Sequence, residues 1–189
     1  DVKLENGWKT YWRSPGEGGV APAITWKGEM PTVDWFWPTP ARFDVAGITT
    51  QGYHQQVTFV LAVRGPAPSR IAGVLTLSTC SNVCLLTDYP FSLTASSQDA
   101  GFAHDYAQAM GRVPLTQGLT QTLSASARSG ELIVEAQRSG GWISPALFLD
   151  SVEDADFAKP LIRVDGDRLR ATVPVHDSWG EGAPNLRGK

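Results

Sequence analysis

Between frequent glycines and prolines the chain carries short runs in which Val, Thr, Ile and aromatic residues are concentrated. That is the pattern of an all-β protein. "KTYW" from Lys9, "AITWKG" from Ala23, "QQVTFVLAVRG" (Gln55 to Gly65) and "RIAGVLTLST" (Arg70 to Thr79) are predicted strands. The third places Val57, Phe59, Leu61 and Val63 on one face, as a period of two requires. "YPFSLTA" from Tyr89 is expected to be the next strand. Helical spacing is confined to "SQDAGFAHDYAQAMG", where Phe102, Ala103, Tyr106, Ala107 and Met110 recur on one face, with Asp99 as candidate N-cap and Gly111 as candidate stop.

"RVPLTQG" (Arg112 to Gly118) has a linker's composition, and two hairpins follow it. "TLSASARSGELIVEAQ" is expected to turn at Ser129-Gly130 and "PLIRVDGDRLRATVPV" at Asp165-Gly166, with "PALFLDS" as a further strand. The fold expected is therefore two β-sandwich domains in tandem, residues 1–112 and 113–189, with one short helix near the end of the first. The tail "WGEGAPNLRGK" resembles the start of another linker, and no fixed short repeat suggests a solenoid or propeller.

Composition narrows the function. Apolar residues make up 42%, enough for a core, whereas 16 Lys and Arg against 19 Asp and Glu leave no basic block to cover phosphates. Nucleic acid is not an expected partner. No apolar run reaches the roughly 18–20 residues that cross a bilayer, and a chain opening on Asp1 reads as a mature or excised piece of a longer protein.

The candidate chemistry lies in "STCSNVCLLTDYP", which holds Cys80 and Cys84, the two cysteines of the chain. A disulfide needs Cα atoms about 4.4–6.8 Å apart, whereas residues i and i+4 of a strand lie roughly 13 Å apart, so this stretch must turn. Asn82 and Ser81 suit a turn at the end of the preceding strand. As a staple the bridge would be weak: a five-residue ring removes roughly 2 kcal/mol of unfolded-state entropy, against about 4.7 for a 100-residue loop. Small exposed rings are also the ones most readily reduced, which suits a redox pair. Two thiolates could instead bind Cu(I), with further ligands supplied by a partner. Zinc would want about four ligands, and His54, His104, His176, Met30 and Met110 form no cluster in sequence. No phosphate-binding loop, zinc-protease motif or hydrolase serine motif is present. The acidic "DSVEDADF" and "DGD" lack calcium-loop spacing, and His54 is expected to be an exposed edge histidine.

"ENGWKTYWRSPGEGGVAP" (Glu5 to Pro22), followed by "WPTPARF", "QGYHQQV" and "CSNVC", resembles the periplasmic N-terminal region of the thiol:disulfide interchange protein DsbD family, and within it the branch called ScsB, suppressor of copper sensitivity protein B. The resemblance implies two tandem immunoglobulin-like β-sandwich domains. It implies a thiol-disulfide oxidoreductase, a relay domain of a periplasmic, inner-membrane-anchored protein. Its partners would be a periplasmic thioredoxin-fold protein (ScsC-like) and the thioredoxin-like and transmembrane domains of the parent protein, in the context of copper tolerance. Cys80 and Cys84 then take the redox role, with Cys84 carrying the mixed disulfide and Cys80 resolving it. The stretch "ARFDVAG" (Ala41 to Gly47) matches a loop covering the pair, with Phe43 as its shielding aromatic, and Tyr11 matches an aromatic beside the pair. For both, a core aromatic is the competing reading. No cofactor and no resident metal are called for. The alternatives are a binding module of the cell envelope, a Cu(I)-binding domain using the same two cysteines, or a structural, chaperone-like domain.

Along the chain, Asp88 is the one charged residue within five positions of Cys84 and the nearest cation is Arg70. Local sequence therefore predicts an unactivated thiol pair, a passive relay whose partners bring the low-pKa cysteine.

Overall fold

The computed structural model describes residues 1–28, 32–45, 47–66, 68–94, 100–128 and 130–177. It is predominantly β, with one α-helix among the described residues. Contacts divide the chain into two compact units, Asp1–Phe43 with Thr50–Pro114, and Asp44–Thr49 with the chain from Leu115 onward.

Up to Thr94 the strands are β1 (Val2–Lys3), β2 (Lys9–Gly16), β3 (Ala23–Trp26), β4 (Val33–Phe36), β5 (Ala41–Val45), β6 (Ile48–His54), β7 (Gln56–Val57), β8 (Val60–Val63), β9 (Arg70–Cys80) and β10 (Cys84–Thr94). The main sheet runs β10-β9-β2-β6-β5, with β3 also on β9, while β1 pairs β7 and β4 pairs β8. The core forms where Trp12, Tyr53, Val57 and Leu77 are buried. Thr10, fully buried, satisfies its hydroxyl by donating to the Ser78 carbonyl at 2.9 Å. Tyr53 likewise donates to the Pro38 carbonyl at 2.8 Å, and burial pushes its phenol well above the usual range.

The single strand expected over Gln55 to Gly65 is two strands on two different partners, β7 and β8. The break falls at Thr58-Phe59, where the Phe59 ring packs edge-on to Trp37 (5.0 Å) and Tyr53 (5.6 Å), beside a stacked Trp35–Trp37 pair. An aromatic cluster therefore overrides the period-two pattern. Conversely, β10 begins at Cys84, five residues before the expected strand.

The helix α1 spans Ala100–Met110, and its candidate N-cap Asp99 lies outside the described residues. Its apolar face is not the buried one. Phe102 and Tyr106 stay exposed and stack on each other at 6.1 Å, while Ala109 is the position buried. Among the described residues of the helix the buried position is thus one small residue in its C-terminal turn rather than a full apolar stripe.

The second unit consists of β11 (Thr122–Arg128), β12 (Glu131–Gln137), β13 (Ala155–Phe157), β14 (Leu161–Asp165) and β15 (Arg168–Asp177), ordered β11-β12-β15-β13 with β14 also on β15. Its core is Val134, Leu169 and Ala171, packed by Leu132, Trp142, Leu147 and Ile162. Both expected hairpins are present, although Ser129 lies outside the described residues. In the second, Asp165 pairs with Arg168, so the turn residues are Gly166-Asp167, one position later than expected, with Gly166 at φ 56°. Asp167 is structural: its carbonyl accepts from Arg138 N–H and Trp142 Nε1 and its carboxylate from Gly141 N–H. "PALFLDS" forms no strand. Leu147 fills the core from irregular chain instead. The tail from residue 178 and Met30 lie outside the described residues.

Candidate functional site

β9 and β10 form an eleven-pair antiparallel hairpin whose last register pair is Cys80 and Cys84. Residues 81–83 close it, with Ser81 N–H donating to the Val83 carbonyl at 2.9 Å. The turn that the spacing demanded is therefore a hairpin tip, and the two cysteines are joined by a disulfide with Cα atoms 4.1 Å apart. Directly opposite residues of an antiparallel pair share a face. The two sulfurs nevertheless differ in access: Cys80, on an interior strand, is 2% exposed, whereas Cys84 opens the edge strand and is exposed, with Val83, Leu85 and Leu86 exposed around it.

Cys80 also pairs with Lys9 on β2, and Lys9 with His54 on β6. Cys84, Cys80, Lys9 and His54 thus form one row across four strands, all on one face. One step along β2, on that same face, stands Tyr11. It is 3% exposed, and its hydroxyl donates to Cys80 Sγ at 2.9 Å. Burial raises the Tyr11 phenol and lowers the Lys9 ammonium from their ordinary values. The Lys9 Nζ sits 5.7 Å from the Tyr11 ring centre and 5.3 Å from that of Phe43, and donates to Thr50 Oγ1 at 2.9 Å.

The structure brings together Cys80, Cys84 and Tyr11 by direct contact. Phe43 reaches the group through Lys9 and through an edge-on contact with His54 at 5.9 Å. The stretch expected as a covering loop is largely strand β5, and His54 is exposed as expected but ends β6, a strand between β2 and β5 rather than an edge strand. Sequence reasoning missed Lys9 altogether. It stands 71 positions before Cys80, and only the pairing of β2 with β9 makes it a neighbour.

Two glycines let the strands and loops close on Tyr11. A Cβ at Gly19 would stand 2.4 Å from Pro15 Cβ and 2.7 Å from the Tyr11 ring. A Cβ at Gly52, the register partner of Tyr11, would stand 2.0 Å from the Thr10 carbonyl oxygen. Among the described residues no group of three or more His, Cys, Asp or Glu side chains gathers in metal-binding geometry. No helix among them is long and apolar enough to cross a membrane.

Comparison with known proteins bears on this site. Residues 1–96 match the family described as thiol:disulfide interchange protein DsbD, N-terminal, and residues 112–189 match a domain of unknown function (DUF8393). Comparison with curated proteins found no match. Among solved structures, the N-terminal periplasmic domain of ScsB from Proteus mirabilis is 46% identical at a TM-score of 0.91, over 99% of this chain and 76% of that one. The chain shares the immunoglobulin-like fold of that family's N-terminal domain. A buried and an exposed sulfur joined at a hairpin tip is an arrangement suited to exchange, and with these matches the chain belongs to the thiol:disulfide interchange protein DsbD N-terminal family, its cysteine pair serving thiol:disulfide interchange.

Proposed function

We propose that this domain is a periplasmic relay, part of an inner-membrane protein, that passes reducing equivalents through Cys80 and Cys84 to a thioredoxin-fold partner of the ScsC type, in support of copper tolerance. The observation that carries the reading is the asymmetry of the pair, with Cys80 buried under the Tyr11 hydroxyl and Cys84 exposed at the tip. An incoming thiolate can reach only Cys84 Sγ. It forms a mixed disulfide there while the Cys80–Cys84 bond breaks and its electron pair leaves on Cys80. A second donor thiolate then releases Cys84, completing a two-electron transfer. In the onward step the Cys84 thiolate attacks the partner's disulfide. Cys80 resolves the mixed disulfide, restoring the Cys80–Cys84 bond and freeing the partner as a dithiol. The apolar side chains of Val83, Leu85 and Leu86 around Cys84 suit a docking face for such a partner.

The test is the equilibrium reduction potential of the pair in a thiol/disulfide series, read by alkylation and mass. A value in the range of known oxidoreductases, about −120 to −270 mV, is expected. Resistance to reduction below about −300 mV would make the bridge structural and end the relay reading.

A reduced pair in an oxidising compartment also needs protection from indiscriminate oxidation, and Phe43 is the proposed shield. Phe43→Ala should leave the unfolding free energy from a urea titration within about 1 kcal/mol of the parent, because the ring is only half-buried. It should speed reaction of the reduced protein with a bulky aromatic disulfide severalfold. An unchanged rate would remove Phe43 from the site.

A further inference from the structure

Among the described residues, no carboxylate balances the charge of Lys9 in the disulfide form. Its ammonium is held by a neutral hydroxyl, Thr50 Oγ1, and by the faces of two rings, Tyr11 and Phe43. The groups facing it are few. From β2 comes Tyr11, from β6 His54, from β9 and β10 the two sulfurs. Asp88 stands on the same face of β10, but four residues beyond Cys84 and bonded to Thr76 Oγ1 at 2.6 Å. On β5, Arg42 and Asp44 flank Phe43 and by strand alternation point to the opposite face. A half-buried cation without a counter-ion is costly unless a negative charge forms beside it during the working cycle.

The geometry points to that charge: Lys9, acting with the Tyr11 hydroxyl, is the counter-charge for the thiolate that forms on Cys80 when the Cys80–Cys84 disulfide opens. The inference deepens the relay reading and rests on it. As the incoming thiolate bonds to Cys84 Sγ, the electron pair of the broken bond goes to Cys80 Sγ, the atom that already accepts the Tyr11 hydrogen bond. No proton has to reach this buried sulfur in that step. The cation over the Tyr11 ring makes its hydroxyl a stronger donor, and the register pairing places the Lys9 stem beside Cys80. A better-stabilised leaving thiolate departs faster, and when the flow reverses the same thiolate is ready to resolve the mixed disulfide at Cys84. Lys9 is thus a positioning and electrostatic residue, and the pair is activated from within, against the passive relay that local sequence suggests.

The test isolates Cys80 in a Cys84→Ser background and follows thiolate absorbance across about pH 5 to 11. Lys9→Met should raise the Cys80 midpoint by about one pH unit, and Lys9→Arg should hold it near the parent value. In the two-cysteine protein, Lys9→Met should slow reduction by dithiothreitol about tenfold, with Lys9→Arg restoring most of the rate. An unmoved midpoint in Lys9→Met would overturn the inference. Should that variant fold poorly, Lys9→Gln, which removes the charge while keeping an amide able to donate to Thr50 Oγ1, decides instead, and an unmoved Cys80 midpoint in it overturns the proposal equally. A potential outside the exchange range together with a Lys9-dependent midpoint would instead sink the relay reading while leaving the counter-charge intact.

Discussion

Reduced Cys80→Ser is expected to accumulate a covalent complex with a thioredoxin-fold protein whose nucleophilic cysteine is held as a mixed disulfide with a small thiol, whereas Cys84→Ser forms none. The attacking sulfur displaces the small thiol, so the complex is read directly as a mass increase under non-reducing conditions. Access decides the outcome. Cys84 is exposed at the tip of the β9–β10 hairpin, while Cys80 is 2% exposed on an interior strand with the Tyr11 hydroxyl at 2.9 Å from its sulfur. With Cys80 intact the complex is short-lived, because a thiol one register pair away resolves it. Near-stoichiometric trapping by one variant and none by the other is the expected contrast. A complex formed by Cys84→Ser instead would reverse the order of attack and place the accessible sulfur on the wrong strand.

Gly52→Ala should produce the largest loss of stability outside the core. The added methyl would stand 2.0 Å from the Thr10 carbonyl oxygen and 3.0 Å from Tyr11 Cα, both parts of backbone that cannot rotate away. β2 and β6 would have to separate at the pair Tyr11↔Gly52, next to Thr10, a fully buried residue. Overpacking of this kind costs about 3 kcal/mol. A urea titration should show the midpoint fall with little change in slope. The same displacement draws Tyr11 from Cys80, so the potential of the pair should move along with stability. A variant as stable as the parent would mean that β2 and β6 part there without cost.

The hairpin tip and the redox pair were legible because their determinants are local. Cys80, Asn82 and Cys84 lie within five residues, and a ring of that size can close only at a turn. The strands of β2, β3, β9, β12 and β15 were legible for the same reason, since alternation and β-branched content act residue by residue. Patterns failed where a distant partner decided. The run from Gln55 to Gly65 breaks at Phe59 because three other aromatic rings lie against it. "PALFLDS" has strand composition, yet the core of the second unit takes Leu147 from irregular chain. The stacked Phe102 and Tyr106 mark the helical period correctly but not the face it buries.

The charge at the site belongs wholly to this second class. By itself the sequence determined an all-β chain with two cysteines on a turn, a disulfide weak as a staple, and an aromatic-rich, glycine-rich N-terminal stretch that points to the interchange family. Only the tertiary structure decided which sulfur is sheltered, that Tyr11 donates to it, and that Lys9 stands opposite Cys80. The physical reason is reach. Turn chemistry and alternation operate over a few residues, whereas burial, hydrogen bonding and Coulomb interactions depend on which strands are neighbours, and strand order in a sheet is set by long-range pairing that no local run encodes.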